Sequence, residues 1–355
     1  MARYIPCFDM KMPWGRLFLI CMLVALMTGC SARNDFGGSD WLAPRPQALT
    51  ESQRNIIEQN KGQIASSIPA SAQPMVEQQI AYYLGPGRKV IEVGSKRAEK
   101  YLSYAKEVFR SRHMPEELAY LAIVESGYRA SACSTVGAKG AWQFMPATGE
   151  MYGLEQDKWA DERMNVYAAT IAAANYLEKL HNDFGDWPTA IAAYNAGEGK
   201  IKRACKASGE RTFFGIVEKN ERLDEKTRLK KETKDYVPRF LAVVSIMNNL
   251  PQLGFKDISP ETQPQVTPIC LAPGTDLKTM AGVCQLSWAE FKEYNPHYNM
   301  SVSHKNRSTV AYVPKSAEHN AAEYARHPVK VDNAKAARLE RENKAPAYKT
   351  KNQRQ

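Results

Sequence analysis

Helical periodicity is the feature that most constrains this chain, because it continues almost unbroken from residue 73 to residue 255. Apolar residues recur at intervals of three and four, as at Leu102, Ala105 and Phe109, which is typical of a helix that packs one face against a core. No stretch in this region alternates as a half-buried strand does. The pattern predicts an all-α domain over residues 73–255.

Helix ends can be predicted within this domain. Pro115 and the two acids after it indicate the start of a helix that continues to Glu125, and Gly127 indicates its end. Further helices are predicted over 171–180, 188–197 and 237–249.

The sequence changes character after Pro251. Residues 256–267 are rich in Pro, Thr and Gln, which predicts a linker. Residues 268–318 then predict a small α+β module in the order strand, helix, helix, strand, with a capping box at Ser287. The remaining residues, 319–355, are expected to form a basic, disordered tail.

The first 29 residues have the order of a secretory signal peptide. Basic residues precede an apolar run over 17–27, and Thr28, Gly29 and Cys30 follow it. The run is too short to span a membrane, which takes about 20 residues. The end of the segment resembles a bacterial lipobox, and this resemblance implies that Cys30 is lipidated. A serine directly after the cysteine then implies an outer-membrane lipoprotein that faces the periplasm. Residues 30–72 are predicted to be a tether, with a short helix around Ile56 and Ile57 as an option.

Charge argues against a nucleic-acid partner. The formal net charge of +10 falls to +8 when the predicted signal peptide is removed, and residues 326–355 account for +6 of that. The folded part is therefore nearly neutral, without the basic surface that nucleic-acid binding needs. The tail is interpreted as a solvated end, with contact to an anionic wall polymer or lipid as the alternative.

Four of the seven cysteines would remain after export, apart from Cys30. An even number in an oxidising compartment allows three pairings, and the simplest joins Cys133 to Cys205 and Cys270 to Cys284. Buried free thiols are the alternative.

Glu125 is the strongest candidate for chemistry. It follows Leu121 by four residues and Ala122 by three, so a continuous helix would place its carboxyl group on the apolar face. Burial and the negative end of the helix both disfavour the anion and raise the pKa. An acid that stays protonated near neutral pH is what cleavage of a glycosidic bond requires.

Four sequence blocks accompany this acid, in the order Glu125-Ser126, then residues 140–149 (GAWQFMPATG), 193–197 (AYNAG) and 232–237 (ETKDYV). Together they resemble the lytic murein transglycosylases with a goose-type lysozyme-like fold. The resemblance covers residues 73–255 well.

The resemblance implies roles for individual residues. Glu125 would be the single catalytic acid and base, with no cofactor and no metal. Residues that would contact the glycan are, on the same grounds, Ser126, Ser134, Gln143, Met145, Tyr194, Asn195 and Tyr236. Core packing is the alternative for Met145 and for Trp142, and helix capping is the alternative for Asn195.

The same resemblance implies a non-hydrolytic mechanism on peptidoglycan glycan strands. Glu125 would protonate the bond between N-acetylmuramic acid and N-acetylglucosamine, then deprotonate the muramoyl C6 hydroxyl, which closes a 1,6-anhydro ring. A hydrolase would need a second carboxylate. Its nearest candidates in the sequence, Glu150, Glu155 and Asp157, lie outside the four blocks. A lysozyme-like hydrolase of the same polymer or of chitin, and an inactive wall-binding lipoprotein, are the alternatives.

The module over residues 268–318 resembles a degenerate LysM module, a class that binds N-acetylglucosamine chains. Gly274-Thr275-Asp276 departs from the usual Gly-Asp-Thr order, and the Gly-Gln pair expected before the last strand is missing. Sugar binding and a purely structural role both remain open for it.

Overall fold

A computed structural model of the chain describes residues 47–256, residue 258 and residues 266–331. The predicted signal peptide and Cys30 lie outside the described residues. Among the described residues no helix is both long and apolar enough to cross a membrane.

The described chain divides into two compact units. The larger unit contains residues 47–156 and 162–256. The smaller unit contains residues 266–331 together with the short segment 157–161, which lies far away in sequence.

The larger unit is helical, as the periodicity predicts. Its α-helices are α1 (Glu51–Gln59), α2 (Gln63–Ser66), α3 (Gln73–Leu84), α4 (Arg88–Ala98), α5 (Leu102–Arg110), α6 (Leu121–Ser126), α7 (Pro146–Met151), α8 (Val166–Phe184), α9 (Trp187–Ala196), α10 (Glu198–Ser208), α11 (Phe213–Lys219) and α12 (Lys231–Met247). Short 3-10 helices lie at Ala70–Ala72, Glu116–Tyr120, Glu162–Met164 and Asn220–Arg222.

Helix α12 is central to the larger unit, where it packs against α3, α6 and α9. The apolar side chains along it, from Val237 to Ile246, are almost all fully buried. Helices α8 and α9 pack together through alanines, whose small side chains let the two backbones approach closely. Asn165 and Asp186 cap the first turns of α8 and α9.

One predicted helix is divided in two. Residues 116–120 form a 3-10 helix and α6 begins only at Leu121. The tighter turns place Glu117 so that its carboxylate accepts hydrogen bonds from the backbone N–H groups of Gln63, at 2.8 Å, and Ile64, at 2.6 Å. Burial raises the pKa of Glu117, and these two hydrogen bonds oppose the rise.

The segment predicted as a tether, residues 30–72, is folded onto the larger unit in the part that the structure describes, and the short helix around Ile56 and Ile57 is present as α1. Helices α1 and α2 lie there, and Thr50 forms a capping box with Gln53 at the start of α1. Leu49, Ile57 and Ile64 are buried. Their apolar contacts, with the Glu117 cap, join this segment to the larger unit.

The smaller unit has the predicted α+β order. Strand β1 (Val266–Leu271) pairs antiparallel with β2 (Thr309–Pro314), and α13 (Leu277–Val283) and α14 (Trp288–Tyr294) lie between them in sequence. The predicted capping box joins Ser287 and Glu290. The fold class, a helical domain followed by a small βααβ module, is therefore confirmed.

The disordered tail predicted from residue 319 is wrong at its start. Residues Glu318–Arg326 form helix α15, which contacts β1 and α13. Ala321 is fully buried in the core of the smaller unit. The helix therefore contributes apolar surface that the two-stranded sheet needs to cover its face.

The predicted disulfide pairings are both wrong, because Cys133, Cys205 and Cys284 are free thiols. Cys270 points to the exposed face of β1, whereas Cys284 is buried in the core cluster on the other face. Cys133 lies exposed in a loop, and Cys205 is half-buried on α10. The alternative, a buried free thiol, holds for Cys284, whereas Cys133 and Cys205 are free thiols that are not buried.

Candidate active site

Glu125 is the penultimate residue of α6. The helix ends where Gly127 takes the left-handed conformation, with φ of 59°, and Tyr128 follows with φ of 55°. A left-handed residue without a side chain is the usual end of a helix. The phenol of Tyr128 is buried and donates a hydrogen bond to the carbonyl of Ala119 at 2.9 Å, which holds this turn in place.

Glu125 is half-buried, and its carboxyl group has a direct partner on α12. The hydroxyl of Tyr236, on α12, donates a hydrogen bond to Oε1 of Glu125. Desolvation raises the pKa of Glu125 from its ordinary value to about 7, although the Tyr236 hydrogen bond favours the anion and opposes the rise. Glu125 can therefore carry a proton at neutral pH, as predicted from its place on the apolar face.

A second acid acts on Glu125 through space. The negative charge of Glu232, four residues before Tyr236 on α12, raises the pKa of Glu125 further. Glu232 was not among the second carboxylates predicted from the sequence, although it begins one of the four blocks. Its spacing of one helical turn from Tyr236 was the available signal.

The block 140–145 lies against the end of α6. The hydroxyl of Ser126 donates a hydrogen bond to the carbonyl of Ala141 at 2.8 Å. Gly140 has φ of 81°, and a Cβ atom there would lie 1.8 Å from the carbonyl oxygen of Arg163, so only glycine fits. Trp142 is fully buried and donates to the hydroxyl of Thr170 at 3.0 Å, which supports the alternative that it belongs to the core.

Gln143 occupies an unusual backbone conformation for its type, with φ of 51°. Its amide Nε2 donates to the carbonyl of Gly140 at 2.8 Å, so the side chain is held by its own turn. This hydrogen bond fixes the amide plane. Met145 is half-buried and caps the first turn of α7 with its backbone.

Tyr194 joins the third block to the second. Its hydroxyl donates to the carbonyl of Trp142 at 2.8 Å, and its ring makes an edge contact with Phe144. Burial raises the pKa of Tyr194 well above its ordinary value, and the charge of Glu125 adds to the rise. Asn195 is half-buried in the last turn of α9, which Gly197 ends.

Two further tyrosines continue from Tyr194 and were not predicted. The ring of Tyr176 lies 5.3 Å from that of Tyr194, and the ring of Tyr152 lies 5.0 Å from Tyr176. Burial raises the pKa of Tyr176 to about 12, so its phenol stays neutral. Neither residue has a motif that distinguishes it in the sequence.

Ser134 is buried in the loop before the second block. Its hydroxyl accepts a hydrogen bond from the backbone N–H of Ala138 at 2.8 Å, and its own N–H donates to the Ala138 carbonyl. These bonds give Ser134 a role in closing the loop. The predicted contact with glycan remains a prediction.

The structure therefore brings Glu125, Ser126, Tyr194 and Tyr236 together through contacts that cross α6, α9, α12 and the 140–145 block. Across the described residues, no group of three His, Cys, Asp or Glu side chains is placed to hold a metal ion.

Two family models match the chain. Residues 103–216 match the transglycosylase SLT domain, and residues 265–326 match the LysM-like domain of the lytic transglycosylase MltD. The first match includes Glu125, Gln143 and Tyr194, and the second includes both strands of the smaller unit.

Individual relatives agree with these models. The membrane-bound lytic murein transglycosylase D of Escherichia coli is 33% identical over 223 residues, which is 62% of this chain and 47% of that protein. A tributyltin chloride resistance protein from an Alteromonas species is 44% identical over 111 residues, which is 31% of this chain and 54% of that protein. The chain thus matches about half the length of each relative.

Among solved structures, an inactive mutant of the lytic transglycosylase Slt from Pseudomonas aeruginosa aligns with a TM-score of 0.33 and 22% identity. The alignment covers 45% of this chain and 24% of that one. The chain is therefore similar, over residues 103–216, to the transglycosylase SLT domain and, over residues 265–326, to the LysM-like domain of the lytic transglycosylase MltD.

Proposed function

We propose that the chain is a peptidoglycan lytic transglycosylase, which cleaves the β-1,4 bond between N-acetylmuramic acid and N-acetylglucosamine without water. The observation that most supports this proposal is the half-buried Glu125 at the end of α6, whose carboxyl group accepts a hydrogen bond from Tyr236 and whose pKa of about 7 lets it hold a proton at neutral pH. The SLT domain match around this residue supports the assignment.

In the proposed reaction one proton leaves Glu125 and later returns to it. Glu125 donates its proton to the glycosidic oxygen as the bond to C1 of the muramoyl sugar breaks. The C6 hydroxyl of the same sugar then attacks C1, and its proton returns to Glu125. The products are a 1,6-anhydromuramoyl end and a free N-acetylglucosamine hydroxyl, and the enzyme is restored.

The surroundings of Glu125 suit both halves of this cycle. Burial and the charge of Glu232 favour the protonated acid that begins the reaction. The hydrogen bond from Tyr236 favours the carboxylate that exists after the proton has left. The two influences hold the pKa near neutrality, where a group that must serve as acid and then as base works best.

The glycan would lie against the residues that the resemblance assigns to it. The side chains of Ser126, Gln143 and Tyr194 each donate a hydrogen bond to a backbone carbonyl of residues 140–142, which holds these three polar groups in fixed positions around one segment. Met145, Asn195, Ser134 and Tyr236 complete the proposed substrate contacts.

The location proposed is the cell envelope. Lipid attached to Cys30 would anchor the chain to the outer membrane, with both units in the periplasm. The name of the E. coli relative, a membrane-bound murein transglycosylase, supports an envelope location.

The products formed when the chain digests purified peptidoglycan sacculi distinguish this function from hydrolysis. Digestion in oxygen-labelled water is expected to give anhydro ends without label, measured by mass spectrometry. A hydrolase would give reducing ends that carry one labelled oxygen. The variant Glu125→Gln is expected to release nothing, whereas Glu150→Gln, a control for a second carboxylate, should act as wild type. Anhydro ends from Glu125→Gln would contradict the assignment.

A further inference from the structure

A cleft of about 400 Å³ opens in the larger unit between α3, α4, α12 and the end of α6. Val124, Ser126 and Gly127 form part of its wall, so the cleft is lined by the residues on either side of Glu125 in the sequence, although Glu125 itself does not line it. Of the glycan contacts predicted from the sequence, Ser126 lines it. The other predicted contacts lie in the loop at Ser134, in the 140–145 block and on α9 and α12.

Basic side chains dominate the wall of this cleft. Its charged lining residues are Arg97, Lys231 and Arg239, with Asp235 as the acid among them. Asp235 pairs with Lys231 and lies 3.9 Å from Arg239, so one carboxylate is shared between two cations. Three positive groups and one negative group leave an excess of two positive charges.

Arg97 holds a position close to the reaction centre. A Cβ atom built on Gly127 would lie 3.6 Å from Nη1 of Arg97. The guanidinium group is therefore beside the backbone two residues after Glu125. This part of the wall is open because residue 127 carries no side chain.

Neutral polar groups complete the wall. The amides of Gln78 and Gln79, on α3, line the cleft and offer both donors and acceptors. Tyr83 also lines it, and burial raises the pKa of this phenol to about 12 while nearby Arg239 opposes the rise. These groups are suited to peptide N–H and C=O groups.

We infer that this cleft binds the carboxylate-bearing peptide attached to the muramoyl lactyl group, while the neighbouring surface binds the sugars. The inference rests on the proposed function. The sugars are uncharged, so an excess of two positive charges offers them little, whereas the peptide carries several carboxylates. Arginine binds carboxylates through paired hydrogen bonds, which fix orientation as well as position. The cleft starts at Ser126, beside the sugar whose bond is cut.

The test compares two substrates that differ in the peptide alone. Glycan strands that keep their peptides and the same strands stripped by an amidase are digested by the full chain, and kcat/KM is measured for each. The quantity compared is kcat/KM on strands with peptides divided by kcat/KM on stripped strands. We expect the double variant Arg97→Gln, Arg239→Gln to lower this ratio about tenfold. That change corresponds to about 1.4 kcal/mol. Lys96→Gln is the matched control, because Lys96 lies beside Arg97 on α4, is exposed and does not line the cleft.

A second variant protects the test against misfolding. Lys231 is 86% exposed, so Lys231→Gln should keep the wild-type fold and still lower the ratio, by a smaller factor. An unchanged ratio in both variants would overturn the inference, as would an equal loss on both substrates. Failure of the proposed function has a different signature, since wild type would then leave no anhydro ends on either substrate.

Discussion

The hydroxyl of Tyr236 donates a hydrogen bond to Oε1 of Glu125, and this contact joins the middle of the central helix α12 to the end of α6. Glu232 lies one helical turn earlier on α12 and acts on the same carboxyl group by its charge. Two residues of one helix thus shift the pKa of Glu125, the proposed catalytic acid, in opposite directions.

The pH dependence of kcat/KM should show both effects. Protonated Glu125 begins the reaction, and its pKa is about 7, so the rate is expected to fall about tenfold for each pH unit above neutrality. Tyr236→Phe removes a donor that stabilises the anion, so the pKa rises and the alkaline limb moves to higher pH. Glu232→Gln removes a repulsive charge, so the limb moves to lower pH.

Glu232→Gln also separates the two mechanisms. A hydrolase that used Glu232 as its second carboxylate would lose at least several orders of magnitude in this variant, at every pH. A lytic transglycosylase is expected to keep cleaving with a displaced pH profile. Shifts of the same sign in both variants would contradict the electrostatic account of Glu125.

Glu125 should also make the fold less stable at alkaline pH. Its pKa is about 7 in the folded chain against about 4.5 in the unfolded chain. Between those values the unfolded state loses its proton and the folded state keeps it, so stability falls as pH rises and levels off above 7. The cost is about 3 kcal/mol.

Glu125→Gln removes this ionisation. The variant is expected to match wild type most closely near pH 4 and to exceed it in free energy of unfolding above pH 7, as measured by urea denaturation at both pH values. A constant difference across this range would show that Glu125 titrates normally. The same denaturation curves would show that Glu125→Gln is folded, so its loss of activity could not be attributed to unfolding.

The sequence indicated Glu125 as the candidate catalytic acid because the signals that point to it are local. Glu125 lies on an apolar helix face near a glycine, and both features can be read from a few residues. The influence of Glu232 and the basic cleft could not be predicted in this way. Arg97 and Arg239 are 142 positions apart, and only the packing of α4 and α12 beside α6 brings them to one cleft.

Gln143 should show a separation of stability from activity. Its left-handed backbone costs about 1 kcal/mol for a residue with a side chain, and glycine removes that cost. Gln143→Gly also loses one side-chain hydrogen bond, worth about 1 kcal/mol. The free energy of unfolding is therefore expected to stay within about 1 kcal/mol of wild type, while kcat/KM falls at least about tenfold through lost substrate contact.

Urea denaturation and glycan digestion of the same preparation measure both effects. Gln143→Ala is the matched control, because it loses the amide and keeps the backbone cost, so it should be less stable than Gln143→Gly. Full activity in both variants would remove Gln143 from the proposed substrate contacts.

Thiol labelling should distinguish the three free cysteines by their burial. Cys133 is exposed, Cys205 is half-buried and Cys284 is buried in the core of the smaller unit. A maleimide added to the native chain is expected to modify Cys133 first, Cys205 more slowly and Cys284 only after denaturation. Peptide mass spectrometry locates each label. Protection of both Cys133 and Cys205 that reductant reverses would restore the pairing predicted from the sequence.

The smaller unit contains one part that could not be predicted from local sequence signals. Its strands, helices and capping box were predicted because each has a local signal. The segment 157–161 has no such signal, and it lies more than 100 residues before β1. Its place in the smaller unit depends on Trp159, which packs with Met300 and Val302, and on Ala160, which joins the main core.

Asp157 holds this segment in the smaller unit. Its Oδ1 accepts hydrogen bonds from the backbone of Trp159 and Ala160 at 2.7 and 2.9 Å, and its Oδ2 lies 3.1 Å from Nη2 of Arg307. The variant Asp157→Ala leaves these groups without their acceptor, at a cost of about 2 kcal/mol. Trp159→Ala removes buried apolar surface, at a cost of about 3 kcal/mol.

Amide hydrogen exchange measures which elements of the fold lose stability in these two variants. Both variants are expected to speed exchange of the β1 and β2 amides, while the amides of α8 in the larger unit keep their wild-type protection. Lys158→Ala is the matched control, because its exposed ammonium group lies 4.4 Å from the centre of the Trp159 ring and contributes less than about 1 kcal/mol. If the strands exchange at the wild-type rate in Trp159→Ala, the segment is an attachment to the smaller unit and contributes nothing to its stability. The expected result would instead mean that a fragment cut at residue 265 lacks part of its own core, so a measurement of whether this module binds sugar should be made on the full chain.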